Sequence, residues 1–418
     1  MVNLVQNFRF SAWLGAAVLG SSLLASCAKD SITPNDPRPA SPISSASKVA
    51  GQAVAGKYIV VLKDGSDALN DIAANEAEIT EARYAERGEK VRGVAQGLLR
   101  QRGLRAEKVG RTYSQVLRGF AADLTAAEAA DLAQDARVDY VEPDQVMTIE
   151  QTTTTTTTTT ASTQTIPYGI KRVGTASGVG KTVWILDTGV ELTHPDLTVD
   201  RTRSRTFYPL GADATSANDL NGHGTHVAGT IAAKNNTLGV VGVAAGATIV
   251  AVKVMDATGS SSSSVVIAGL DYVAATAKAG DVVNMSISGG TSLSLDAAVV
   301  RAANKGILFA VSAGNDAKSA TLHSPSRVNH ANVFTVTAMN NLDTWASFSC
   351  FGNPTVDYCM PGVAVNSTYK GGGYALMSGT SMAAPHMAGV LLLRGKAFTR
   401  SGTVKSDPDG TADAIAHL

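Results

Sequence analysis

From residue 166 onward one pattern repeats. Short, almost wholly apolar runs (182–186, 248–255, 281–288, 306–313 and 333–338) alternate with stretches of helical composition, clearest at 264–278 and 294–304. Strands with no polar alternation must be buried on both faces, and helices between them supply the crossovers that parallel strands need. The pattern therefore predicts an α/β domain built on a parallel sheet. In such sheets ligands bind beyond the carboxyl ends of the strands. Asp187 closes the first run and Asn315 follows the fourth, which places two polar residues at that end.

The preceding segment reads differently. A β-rich run at 57–63 is followed by helical composition over 67–102, strand-like stretches at 111–116 and 119–124, a short helix at 126–134 and a last strand at 138–142. Thr125 with Glu128 three residues on forms a capping box for the second helix. The order β-α-β-β-α-β is that of a small α+β ferredoxin-like domain, and it carries no catalytic cluster. Residues 152–160 are all threonine, with no apolar face to bury, and read as an exposed linker.

At the start, Arg9 precedes an apolar stretch at 12–24 that ends in Leu24-Ala25-Ser26-Cys27. A basic flank, an apolar segment and small residues read as an export signal, and the segment is too short for a comfortable membrane span. Cys27 stands where a bacterial lipoprotein carries its lipidated cysteine, which would tether the precursor. The expected organisation is a signal at 1–26, a Ser/Pro/Ala-rich tether at 27–56, the small domain at 57–150, a linker with a maturation site at 151–165, and the α/β domain at 166–418. Lys+Arg and Asp+Glu are equal at 35 each, so there is no basic field of the kind nucleic-acid binding needs. With Cys27 set aside, Cys350 and Cys359 remain. In an exported chain such a pair reads as a disulfide, the alternative being two independent buried thiols.

Three segments concentrate chemistry: Leu186-Asp187-Thr188-Gly189, Asn221-Gly222-His223-Gly224-Thr225-His226, and Ser378-Gly379-Thr380-Ser381-Met382-Ala383-Ala384-Pro385. A serine hydroxyl is a poor nucleophile near neutral pH. It needs an imidazole to take its proton and a carboxylate to fix the imidazole's tautomer. Ser381 opens a helix whose core face uses Met387, Val390 and Leu391, with Pro385 close enough to the start to be tolerated. Taken singly, Asp187 is a strand-end cap and Ser381 a helix cap. His223 and His226 share the spacing of a metal-ligand pair, yet no third ligand stands at a recognisable interval. His194, His323, His330 and His386 read as structural.

Together these segments resemble the signature motifs of the subtilisin superfamily, nearest its proteinase K-like members, over about residues 166–394. The resemblance implies a secreted serine endopeptidase made as a zymogen and acting as a monomer on protein and peptide substrates. The alternative is an exported binding or scaffold protein on an inactive protease fold. It assigns Ser381 as nucleophile, His223 as general base and then acid, Asp187 as orienting carboxylate, and the Asn315 amide as oxyanion donor. Ala313 and Gly314, with the edge segment Ser286, Ile287, Ser288 and Gly289, would bind the substrate backbone. Residues 58–63 and 138–144 resemble the ends of the inhibitor-type propeptide of such enzymes, so the small domain would be an intramolecular inhibitor. Structural calcium is implied at Gln164, Asp196 and Asn236 with the carbonyls of Lys234, Leu238 and Val240, and a second cation at Asp357. Counting from the propeptide's last strand places maturation near Glu150; counting back from 164–169 places it near Ser162. Asp316, beside the oxyanion residue, would disfavour Glu150 and tilts the expectation to the later position.

Overall fold

The computed structural model describes residues 49–64, 79–149 and 163–418, together with the backbone of 153–157. The expected signal, Cys27 and most of the tether lie outside the described residues. Among those described, no helix is long and apolar enough to cross a membrane.

The N-terminal lobe contains β1 (Ala53–Leu62), α1 (Glu81–Gln101), β2 (Val109–Tyr113), β3 (Gly119–Asp123), α2 (Ala126–Leu132) and β4 (Val138–Ile149), the expected order. Its antiparallel sheet runs β4-β1-β3-β2. In α1 the buried Val91, Ala95, Leu98 and Leu99 recur at the three- and four-residue spacing of one helix face. They pack on Val60, Leu62 and Phe120. Strand alternation sends the neighbouring Ile59 and Val61 to the opposite face, into a core shared with Val265, Val266 and Leu295 of the C-terminal lobe. The capping box forms as read, with Thr125 accepting from the Glu128 amide and Glu128 from the Thr125 amide.

The threonine tract contributes β5 (Thr153–Thr157). The C-terminal lobe then adds β6 (Thr182–Asp187), α3 (His223–Ala232), β7 (Thr248–Lys253), β8 (Ser260–Ser262) and α4 (Ser263–Thr276). It continues through β9 (Val282–Met285), β10 (Ile287–Gly289), α5 (Leu293–Asn304), β11 (Leu308–Ser312), β12 (Val333–Met339), β13 (Tyr358–Pro361), β14 (Val365–Tyr369), β15 (Gly373–Ser378) and α6 (Thr380–Arg394). The central sheet is parallel in the order β13-β12-β11-β9-β6-β7. Alternate residues feed two cores: Val183 and Ile185 join α3 and α6, while Trp184 and Leu186 join α4 and α5. From β6 the chain goes to β7 on one side and later to β9 on the other, so Asp187 ends the strand at the point where the order reverses.

Two expectations change. The run at 281–288 is two strands broken at Ser286, because β10 leaves the central sheet to line a cleft. The threonine tract is not left without a partner: β5 pairs antiparallel with β15, from Thr153↔Ser378 to Thr157↔Tyr374. Threonine favours the extended backbone, and the edge of β15 offers unpaired amides and carbonyls.

Candidate active site

Asp187, His223 and Ser381 lie at the ends of β6, α3 and α6, and all three are fully buried. Asp187 Oδ1 accepts from the Thr188 amide and from His223 Nδ1, each at 2.7 Å. With Nδ1–H donated to the carboxylate, His223 keeps its lone pair on Nε2, which is buried with no hydrogen-bond partner. Gly222 precedes the helix at φ +113°, a conformation that favours glycine. A Cβ at Gly224 would collide with the Gly189 carbonyl oxygen and press on the Asp187 Cβ, so only glycine lets α3 lie this close to the end of β6.

A residue that the sequence reading missed holds this loop. Asp219 Oδ1 accepts from Thr188 Oγ1, Asn221 N and Gly222 N, each at 2.9 Å. Its Oδ2 accepts from Thr225 N (2.9 Å) and Thr225 Oγ1 (2.7 Å). One carboxylate thus ties the segment after Asp187 to both sides of His223. The only sequence signal was an acid shortly before the histidine motif.

Ser381 Oγ donates to the Ser286 carbonyl at 3.2 Å, and Ser286 Oγ donates to the Ser381 carbonyl at 2.9 Å. The second bond explains Pro385. It lies inside α6, beyond the first turn, and lacks the amide that would bond the carbonyl four residues back. That carbonyl belongs to Ser381, and Ser286 satisfies it instead. The tolerance therefore comes from the cleft wall and not from closeness to the helix start.

Asn315 Oδ1 accepts from Thr380 N (2.8 Å) and Thr380 Oγ1 (2.9 Å). With its oxygen so engaged, the amide is oriented and its NH2 is the donor end, as charge stabilisation beside Ser381 requires. Thr380 Oγ1 also accepts from the Gly314 amide at 3.2 Å, which locks Gly314 and Asn315 to the helix that carries Ser381.

The cleft holds a strand. The end of β4 lies between β8 and β10, antiparallel to both. Ser260, Ser261 and Ser262 pair with Thr148, Met147 and Val146, and Ile287, Ser288 and Gly289 pair with Ile149, Thr148 and Met147. The same segment carries two acids onto helix ends. Asp144 accepts from Ser264 N (2.9 Å) and Oγ (2.6 Å) at the start of α4. Glu142 accepts from Ser292 Oγ (2.7 Å), Leu293 N (3.0 Å) and Ser294 N (3.1 Å) at the start of α5. Carboxylates there satisfy amides that have no partner within the helix. In the other direction, Asp271 of α4 accepts from the amides of Ser114, Gln115 and Val116.

The expected disulfide is absent. Cys350 and Cys359 are both free and buried, in separate apolar clusters: Cys350 with Ala313, Ala320 and Val356, Cys359 with Met339, Val404 and Ile415. His226 Nε2–H is shared by the carbonyls of Val365 and Ala375, each at 3.0 Å, which ties α3 to β14 and β15. Burial lowers its pKa to about 3, and that of the equally buried His386 to about 4.

The residues expected to hold calcium converge in part. Lys234 O, Asn236 Oδ1 and Val240 O lie 2.8, 3.4 and 3.3 Å from the Gln164 side-chain amide nitrogen. Turning that amide over would aim a fourth oxygen at the same point. Asp196 stands next to it, bonded to Asn236 Nδ2 at 2.8 Å and to Val240 N at 3.2 Å, and burial raises its pKa. Several oxygens around one point with a buried carboxylate suit a hard cation. Leu238 enters through its amide, which donates to Asn236 Oδ1. Asp357 is exposed at the surface and accepts from the Thr335 amide at 2.8 Å.

A strand-end Asp bonded to a His, a Ser at a helix start against a cleft edge, and an anchored side-chain amide define the site of a serine hydrolase that acts on extended chains. Comparison with known proteins agrees. The profile of the subtilase family matches residues 178–405, and that of the peptidase inhibitor I9 family matches residues 57–150. An extracellular serine proteinase of Thermus sp. (strain Rt41A) is 38% identical over 348 residues, covering 82% of this chain and 81% of that protein. Subtilisin E of Bacillus subtilis (strain 168) is 37% identical over 301 residues, 69% of this chain and 74% of its own length. The crystal structure of a cold adapted subtilisin-like serine proteinase aligns with a TM-score of 0.52 at 35% identity, covering 60% of this chain and 97% of that one. The chain belongs to the subtilase family of serine proteases and carries an I9-type propeptide ahead of its catalytic domain.

Proposed function

We propose that this chain is the precursor of an exported, broad-specificity serine endopeptidase whose first substrate is its own propeptide. The observation that carries the reading is the placement of Val146–Ile149: a strand of the inhibitory lobe occupies the cleft between β8 and β10 in the antiparallel pairing a substrate would use. Ser381 Oγ attacks the scissile carbonyl while His223 Nε2 takes its proton, and Asp187 holds the resulting imidazolium. The oxyanion that develops is stabilised by the Asn315 NH2 and the Ser381 backbone amide. The C–N bond breaks as His223 returns the proton to the leaving amine, and water, activated the same way, releases the acyl group. Ser286, Ile287, Ser288, Gly289, Ala313 and Gly314 bind the substrate backbone.

The strand register supports the earlier of the two maturation positions. Its last described pair, Ile149↔Ile287, lies one residue from Ser286, whose carbonyl Ser381 Oγ meets, so the strand's described end stops beside the nucleophile. Glu150 and Ser162 themselves lie outside the described residues. In a host without other proteases, a Ser381→Ala precursor should stay full-length and the wild type should begin at residue 151. A mature chain beginning at 163 would overturn the register reading, and maturation of the Ser381→Ala chain would overturn self-processing. Covalent labelling by a fluorophosphonate that depends on Ser381 separates an enzyme from an inert scaffold on the same fold.

Calcium held by Gln164, Asp196, Asn236 and the carbonyls of Lys234, Leu238 and Val240 would cross-link the loops behind the cleft; Asp357 is a weaker second position. EDTA should lower the melting temperature of the mature enzyme, and an unchanged value would remove the assignment. Export follows the signal-like first segment and the extracellular relative. Lipidation at Cys27 would anchor only the uncleaved precursor, because cutting at the propeptide's end frees the catalytic domain.

A further inference from the structure

Beside the oxyanion residue lies a side-chain cluster that the mechanism does not use. Asp316 Oδ1 is 2.9 Å from Cys350 Sγ and 3.1 Å from His323 Nε2, and the three donor atoms lie within 4.8 Å of one another. We propose that Asp316, His323 and Cys350 form a binding site for a thiophilic divalent cation of the zinc type, in the wall of the substrate cleft.

Three observations carry it. The donor set mixes thiolate, imidazole and carboxylate, which suits zinc and not calcium or magnesium. The opposite ring nitrogen, His323 Nδ1, lies 3.3 Å from the Gly289 carbonyl. With its proton donated to that backbone carbonyl, Nδ1 would leave Nε2, which faces Asp316, as the ligating nitrogen, the arrangement metal-bound histidines commonly show. The geometry is also close: around tetrahedral zinc such donors stand about 3.3–3.6 Å apart, so Asp316 Oδ1 would have to draw back by roughly 0.2–0.6 Å from its two neighbours. Asp316 can supply that movement, being 36% exposed, with Lys318 Nζ on its other oxygen at 2.9 Å. Cys350 is fixed instead, fully buried with its amide bonded to Gly314 O at 2.9 Å. The ion would enter from the Asp316 side, displace the thiol proton to solvent and leave a fourth position open.

Its place gives the site a consequence. A Cβ built on Gly314 would touch Cys350 Sγ at 2.9 Å, and Asp316 directly follows Asn315. His323 reaches the edge strand β10 through Gly289. A bound ion therefore joins the oxyanion segment to the edge strand β10 and slows peptide hydrolysis reversibly.

The full-length Ser381→Ala chain, in calcium-containing buffer, is titrated with Zn2+ against a chromophoric chelator and with Co2+ by absorption. One equivalent of zinc should bind with a dissociation constant in the micromolar range or below, and the cobalt form should show a thiolate charge-transfer band. Cys350→Ser should remove the band and weaken binding about 100-fold, His323→Ala should weaken it similarly, and Cys359→Ser should change neither. His323, part-exposed, keeps the test open if Cys350→Ser fails to fold. No bound equivalent, or binding unchanged in both variants, would overturn the site and leave a hydrogen-bonded cluster only. Mature enzyme whose turnover is unaffected by a demonstrably bound ion would overturn the link to catalysis.

Discussion

The two lobes bury their sheets on different terms. In the C-terminal lobe both faces of the central sheet are covered by helices of the same lobe, with α3 and α6 on one side and α4 and α5 on the other. In the N-terminal lobe Val60 and Leu62 face their own helix α1, while Ile59 and Val61 face the other lobe's helices. One lobe is complete in itself; the other is completed by what it inhibits. Chemistry divides the same way. Asp187, His223, Ser381 and Asn315 all belong to the complete lobe, whereas the other supplies a strand for the cleft and two acids for helix ends. An inhibitor whose second sheet face is covered only by its target loses that cover once the two part.

The largest effect expected from testing this division falls on the complete lobe alone. Asn315→Ala should lower kcat by about 100- to 1000-fold, the size measured for the equivalent donor in subtilisin, with KM little changed. The propeptide should still bind, since its strand pairs with β8 and β10 and not with Asn315. Loss of propeptide inhibition in this variant would mean that the lobes are not separable in this way. Asp219→Ala should follow with a fall of about 10- to 100-fold in kcat/KM, because it displaces His223 without removing it. Asp219→Asn should recover part of that, as the Asn oxygen can still accept from one side of the loop. Steady-state kinetics on a small peptide substrate reads both.

How much of this was legible in the sequence follows from what each residue answers to. The parallel sheet showed because a strand buried on both faces has one composition, and the triad showed because each member is flanked by glycines that permit close approach. Asp219 stayed hidden because a carboxylate that accepts from five donors looks like any polar loop residue until the fold brings Thr188 and Thr225 to it. The split at Ser286 was hidden for a related reason: no proline or turn pair marks a break between β9 and β10, and only the tertiary cleft separates them. Cys350 and Cys359 misled because pairing was inferred from number and destination, while the fold places them in separate cores. His323 read as structural because its partners, Asp316 and Cys350, come from other segments of the chain.

Smaller effects are expected at the contact between the lobes. Glu142→Ala and Asp144→Ala each remove a carboxylate from a helix start, worth about 0.5–2 kcal/mol, or roughly 2- to 30-fold in binding. A polypeptide spanning residues 49–149, added to mature enzyme, should inhibit more weakly by that factor for each change, while the free enzyme's turnover is untouched. Asp271→Ala on the enzyme side should act in the same direction. If Glu142→Ala and Asp144→Ala both left inhibition unchanged, apolar burial and strand pairing alone would hold the lobes together.

The smallest expected effect is a slope in the stability of the complete lobe. Burial lowers His226 to about 3 and His386 to about 4, against an ordinary value of 6.5. Between the folded and unfolded values the unfolded chain binds more protons, so this contribution is fully present above about pH 6.5 and is lost as pH falls towards 4 and 3. Each imidazole adds at most about 1.4 kcal/mol per pH unit within that window. Asp296 and Asp413, lifted by burial to about 6 and 7, act oppositely, since their protonated forms favour the folded state as pH falls. The wild-type slope is thus a difference, and variants must isolate the imidazoles. His226→Gln keeps a donor where Nε2 meets Val365 and Ala375, and His386→Asn keeps one where Nδ1 meets the Met382 carbonyl. In calorimetric scans of active-site-blocked mature enzyme from pH 7 to 4, each variant should lose less stability than the wild type. An identical fall in all three would show that these two histidines contribute nothing to the lobe's acid sensitivity.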